Sequence, residues 1–191
     1  EIAQCLVGSE MCIRDRFTFV IWDKNKQELF GARDHFGIKP FYYAKMNGTF
    51  MYASEIKSLL RHPDFVKELN AEALKPYMTF QYPAIGETFF KGVYKLPEGH
   101  YFTYRDGKMD IHRYYDEDFR EGKQKLGELV NSIDQTVCDS VKAHQIADVE
   151  VGSFLSSGVD SSYVAAVARP QHTYSIGFGT VSYTHLTLPT I

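Results

Sequence analysis

Nine residues in the last third of the chain carry its densest chemical signal: Phe154-Leu155-Ser156-Ser157-Gly158-Val159-Asp160-Ser161-Ser162. A short apolar run enters a cluster of small residues that opens a helix. The first amides of a helix have no intrahelical acceptor, and the helix dipole favours an anion beside them. Small side chains let phosphate oxygens approach, and serine hydroxyls add donors. Asp160 can hold a magnesium ion, which prefers oxygen ligands and bound phosphates. A Walker A loop needs a lysine after its glycine, and none stands here. A serine-rich turn that only caps a helix is the other reading of the same residues.

The elements around this loop are those of a parallel sheet. Residues 149–155 read as a buried strand, 161–168 as a helix stopped by Arg169-Pro170, and 173–178 as the next strand. Ahead of them, Leu126, Leu129, Val130, Ile133, Val137 and Val141 recur at steps of three and four, one apolar face of an amphipathic helix. Cys138 lies in that helix and reads as a packed thiol. Residues 116–125 are polar and mark a linker.

Upstream of the linker the pattern is α+β. Residues 17–23 and 27–33 read as strands joined by Lys24-Asn25-Lys26, and 41–44 and 49–53 as a pair joined through Asn47-Gly48. Residues 100–104 and 108–113 flank Asp106-Gly107 in the same way. Ser54 is expected to cap a helix over 55–61, and Asn70 another that Pro76 breaks or kinks within two turns. Taken alone, Arg33, Asp34 and Lys39 read as a solvated turn around Gly37.

Bulk properties exclude several classes. A net charge of -3 with no basic run gives no case for nucleic acid. No apolar stretch reaches the roughly 18 residues of a membrane helix. None of the seven histidines shows ligand spacing, and Cys5, Cys12 and Cys138 follow no metal or disulfide pattern. A reducing, cytoplasmic setting is the expectation.

The loop resembles the Ser-Gly-Gly-x-Asp-Ser loop of the ATP pyrophosphatases, with Ser157 where that family has its first glycine. A serine is costly there if the position needs φ > 0. Upstream, ARDHFGIKPFYY (32–43), YASEIKSLL (52–60) and KLPEGHYFTY (95–104) resemble consecutive signatures of glutamine-dependent asparagine synthetases, and SVKAHQIADVEVG (140–152) resembles the entry to their synthetase domain. Glu150 stands where proline is common. The resemblance runs in order over residues 17–180. It implies the C-terminal half of a class II glutamine amidotransferase (Ntn-type αββα) domain over 17–118. The start of an ATP-pyrophosphatase (PP-loop) parallel-sheet domain follows over 119–180.

For the parent protein the resemblance implies a two-site ligase. An N-terminal cysteine takes ammonia from glutamine, ATP adenylates aspartate, and asparagine forms with AMP and pyrophosphate. ATP and Mg2+ are the implied cofactors, aspartate and glutamine the other small-molecule partners; a homodimeric parent is compatible with it. Carried over residue by residue, Leu155, Ser156, Ser157, Gly158, Val159, Asp160, Ser161, Ser162 and Ile176 form the nucleotide site, with Asp160 at the metal. No catalytic residue is assigned: the nucleophile lies before Phe17 in the family, so the fragment is expected to be inactive. A β-lactam synthetase-like ligase, a lone ATP pyrophosphatase and a non-catalytic nucleotide-binding relative are the competing readings.

Both ends join this pattern abruptly. Residues 1–16 (EIAQCLVGSEMCIRDR) and 181–191 (VSYTHLTLPTI) resemble translated adapters of transposon-based DNA libraries. Residues 11–16 back-translate to ATG TGT ATA AGA GAC AGN, the transposon end, and its reverse complement gives 181–186. Cys12 is therefore not assigned as the nucleophile, which in the family is followed by glycine.

Overall fold

Two tight turns organise the first part of the chain. Asn47 and Gly48 have φ of 51° and 82°, and Asp106 and Gly107 have 49° and 76°. Positive φ at both central residues matches the right-handed strand twist, and it closes β3 (Tyr42–Met46) on β4 (Thr49–Ala53) and β6 (His100–Arg105) on β7 (Lys108–Arg113). The computed structural model describes residues 15–177 apart from 83, 121 and 148. These divide into one compact unit up to Phe119 and a second from Arg120.

In the first unit β1 (Thr18–Asp23) and β2 (Glu28–Arg33) form an antiparallel pair, and the sheet order is β1-β2-β6-β7. A second antiparallel sheet has the order β4-β3-β5, with β5 at Val93–Lys95. The sheets meet over the buried residues Phe41, Leu96 and Phe102, with Val20, Leu29, Tyr43 and Phe50 packed around them. The Phe50 ring stacks on Tyr104 at a centroid distance of 4.2 Å. Gly31 is required by this packing, because a Cβ there would meet Phe102 Cε1 at 2.4 Å. On its other face the three-stranded sheet buries Ala44, Met46, Met51 and Val93 against Leu59 of the short helix α1 (Ile56–Leu59).

Several sequence expectations are corrected here. Ser54 does not cap α1; Glu55 occupies the N-cap position, without a side-chain cap. Asn70 precedes α2 (Ala71–Phe80) but spends its side chain elsewhere, donating from Nδ2 to Thr88 O at 3.1 Å. Pro76 does not end α2, which continues to Gln81 at φ 62°. A proline removes one donor and crowds one carbonyl, and the contacts around Ala73, fully buried, and Tyr77 against Phe89 offset that cost.

The second unit holds α3 (Leu126–His144), β8 (Ser153–Phe154), α4 (Val159–Ala168) and β9 (Thr173–Tyr174). Strands β8 and β9 pair in parallel, so strand, loop, helix and strand form the crossover expected of a parallel sheet. The strands are far shorter than the periodicity suggests, two residues each where seven and six were expected, and Phe178 lies outside the described residues. The apolar stripe of α3 is exposed at Leu126, Leu129, Val130 and Ile133. The α3–α4 pair is held by a Tyr163 hydroxyl bond to the Asp134 carboxylate and by Gln145 Nε2 donating to Ala168 O at 2.6 Å.

Candidate functional site: the loop after β8

The C-terminal ends of β8 and β9 lie side by side, where parallel sheets place their ligands. Leu155 N donates to Tyr174 O at 2.8 Å and Ser175 Oγ donates to Leu155 O at 2.6 Å. Leu155, half-buried, and Ile176, 80% exposed, therefore stand at one sheet edge, beside the start of the loop.

The loop then folds on itself. Ser156 N donates to Ser161 Oγ at 3.1 Å, and the two hydroxyls Ser156 Oγ and Ser161 Oγ are 2.8 Å apart. Ser161 Oγ also lies 3.0 Å from Ser156 O and 3.1 Å from Gly158 O, and Gly158 N donates to Ser156 Oγ at 3.3 Å. Gly158 is the N-cap residue of α4 (φ -82°, ψ 153°), and the first intrahelical bond runs from Ser162 N to its carbonyl. The amides of Val159, Asp160 and Ser161 precede that bond and meet no acceptor among the described residues. They give the helix start three donors for an anion.

Ser157 is not among the residues with positive φ. The cost anticipated for a serine in place of glycine is thus not incurred in this conformation. Its hydroxyl has no partner among the described residues. Asp160 is exposed, in the first turn of α4. Among the described residues no group of three or more His, Cys, Asp or Glu is placed to hold a metal. A single exposed carboxylate beside a helix start fits the way Mg2+ is held, by one or two carboxylates together with phosphates.

In the first unit, Arg33 and Asp34 are not a solvated turn. They are 1% and 0% exposed. Arg33 Nε donates to Lys39 O at 2.8 Å, and its other nitrogens reach Gly37 O and Leu96 O. The Asp34 carboxylate accepts from Ile38 N and Lys39 N, each at 2.9 Å. Burial draws the Arg33 guanidinium below its ordinary value, and the Asp34 charge opposes that shift. Tyr114 OH donates to Arg33 O at 2.6 Å, and burial pushes that phenol up. The cluster is a structural pin for residues 34–39. Gly37 at φ 63°, where a Cβ would meet Arg33 Nη2 at 2.8 Å, is the sequence signal that could have revealed it.

A sandwich of antiparallel sheets followed by a parallel crossover with a small-residue loop defines a two-part protein, the second part of the nucleotide-loop kind. Comparison with known families gives each part its relatives. Residues 6–115 match the glutamine amidotransferase domain and residues 132–186 match asparagine synthase. The chain belongs to the glutamine amidotransferase family, in the form that runs on into an asparagine synthase domain. The matches enter both terminal segments that resemble adapters, from residue 6 and to residue 186.

Among individual proteins, it is 41% identical over 171 residues to asparagine synthetase [glutamine-hydrolyzing] 1 of Bacillus subtilis, covering 87% of this chain and 27% of that protein. Asparagine synthetase [glutamine-hydrolyzing] 3 of the same species is 32% identical over 174 residues, covering 85% of this chain and 28% of the relative. Amidase chry2 of Gibberella zeae is 34% identical over 164 residues, covering 81% and 23%. The chain thus spans about a quarter of the length of these relatives.

Proposed function

We propose that this chain is a section of an ATP-dependent amide ligase that makes asparagine from aspartate, with ammonia drawn from glutamine and AMP and pyrophosphate as co-products. The observation that carries the reading is the succession, in one chain, of an amidotransferase match and an asparagine synthase match. The loop after β8 supports it with three free amides directed by a helix start. In this reading the amides of Val159, Asp160 and Ser161 hold pyrophosphate oxygens, Leu155 and Ile176 flank the adenosine, and Asp160 ligates Mg2+. When bound, that ion neutralises phosphate charge and orients the leaving group. A chain that spans about a quarter of its relatives is proposed not to complete the reaction alone, and residues 1–16 and 181–191 to derive from adapter DNA.

A second reading has one specific observation behind it. A relative of comparable identity is named an amidase and not an asparagine synthetase, which favours a related amide-forming ligase with another acceptor acid. Sequencing the source DNA outward from the codons of residues 17 and 180 tests the proposal. The expected frame continues into a cysteine-initiated amidotransferase half and a complete synthetase domain. A frame that encodes both terminal segments and then stops would contradict it.

A further inference from the structure

The turn that follows α1 carries a histidine whose bonding one proton reassigns. His62 N donates to Leu59 O and Phe65 N donates to His62 O, each at 3.0 Å. Pro63 stands between His62 and Asp64, with no amide hydrogen and a fixed φ. Asp64 N is therefore the first amide donor after the ring, and it donates to His62 Nδ1 at 3.2 Å. The same Nδ1 lies 3.8 Å from Asp64 Oδ2. An imidazole nitrogen accepts only while it carries no proton, and in the imidazolium both nitrogens donate. Nδ1 can thus serve the Asp64 amide or the Asp64 carboxylate, and its protonation decides which.

Asp64 also holds the tip of the neighbouring hairpin. Its Oδ2 accepts from Thr49 Oγ1 at 2.6 Å, and its carbonyl accepts from Asn47 Nδ2 at 3.2 Å. Asn47 is in the β3–β4 turn and Thr49 opens β4. From the hairpin, Asn47 and Thr49 bring no titrating group to the ring. On α1, Lys57 is paired with Glu55, and Arg61 precedes His62 in the chain. The His62 and Asp64 side chains are each 40% exposed, so protons reach them from solvent.

We infer that His62 and Asp64 form a proton-operated latch on the β3–β4 turn. Neutral His62 accepts the Asp64 amide and fixes the backbone that carries Asn47 and Thr49. The imidazolium releases that amide and turns its proton to the carboxylate that already accepts from Thr49. The latch stands independently of the nucleotide reading of the second unit.

The test is amide hydrogen exchange in the complete protein that contains this section, resolved to single residues, at about pH 8 and about pH 5, the span over which histidine ordinarily changes charge. Each rate is divided by that of an unstructured chain at the same pH. Asp64 is expected to lose about fivefold in protection at the lower pH, the equivalent of one ordinary hydrogen bond. His62→Asn sets a carbonyl oxygen near the place of Nδ1 and does not titrate, so its Asp64 protection should be equal at the two pH values. Asp64→Asn keeps the amide and removes the charge, and should still show the loss. Equal protection of Asp64 at both pH values in the unaltered protein would refute the latch. A fall of the same size in His62→Asn would refute it too, since acid would then loosen the turn without the imidazole.

Discussion

Replacing Asp34 by alanine tests whether the buried Arg33–Asp34 pin holds the first unit together. The carboxylate accepts two backbone amides, Ile38 N and Lys39 N, at 2.9 Å each, and is fully buried. A hydrogen bond to a charged group contributes about 1.5–3 kcal/mol, so losing two costs about 3–6 kcal/mol. The Arg33 guanidinium also loses the nearest charge favouring its protonated form, inside a site that already disfavours it. Partial escape of residues 35–39 to water offsets some of this, and about 3–5 kcal/mol is expected. Against a total of about 5–15 kcal/mol for a domain, that is a large share. Urea unfolding reads it out, because the chain's single tryptophan, Trp22, lies on β1 of this unit. With a slope of about 1–3 kcal/mol/M, the midpoint should fall by about 2 M. A loss below about 1 kcal/mol would refute the assignment of residues 34–39 to this pin.

Two further perturbations address other links in the fold. Gly31→Ala drives a methyl into the fully buried Phe102 ring, 2.4 Å from Cε1, and should cost about 1–3 kcal/mol in the same urea assay; an unchanged midpoint would contradict the packing described. In the second unit, the Asp134 hydrogen bond pushes the Tyr163 phenol up from its ordinary 10.0 to about 12. A raised folded-state value means that its contribution is fully present below about pH 10 and is lost as pH rises through about 12. Tyrosinate absorbance, taken as the difference between the chain and its Tyr163→Phe variant, should therefore titrate near pH 12. A midpoint near 10 would mean that the α3–α4 tie is absent in solution.

Local chemistry was the most legible part of the sequence. Asn47-Gly48 and Asp106-Gly107 specify their turns through backbone angles that few other residues accept, and both turns formed where expected. The strand, loop and helix at residues 153–168 were legible for a similar reason, since small residues and Gly158 mark the helix start. What depends on distant partners was not. Arg33 and Asp34 look solvated in isolation, and distant partners such as Leu96 and Tyr114, 63 and 81 residues away, make them core. Pro76 predicts a break or a kink, and of these the break is absent, since the helix runs on to Phe80. Asn70 is a good cap by type, but Thr88 competes for its side chain. At the site, composition located a loop of small residues between a strand and a helix. Which serines bond to one another within it is a matter of angles and distances that spacing does not contain.

The most direct test of the account is to express the complete protein and supply glutamine, aspartate and ATP, following all products together. The account predicts asparagine and AMP in equal amounts, with pyrophosphate and glutamate alongside. Failure to form asparagine from aspartate, or formation of ADP in place of AMP, would contradict it.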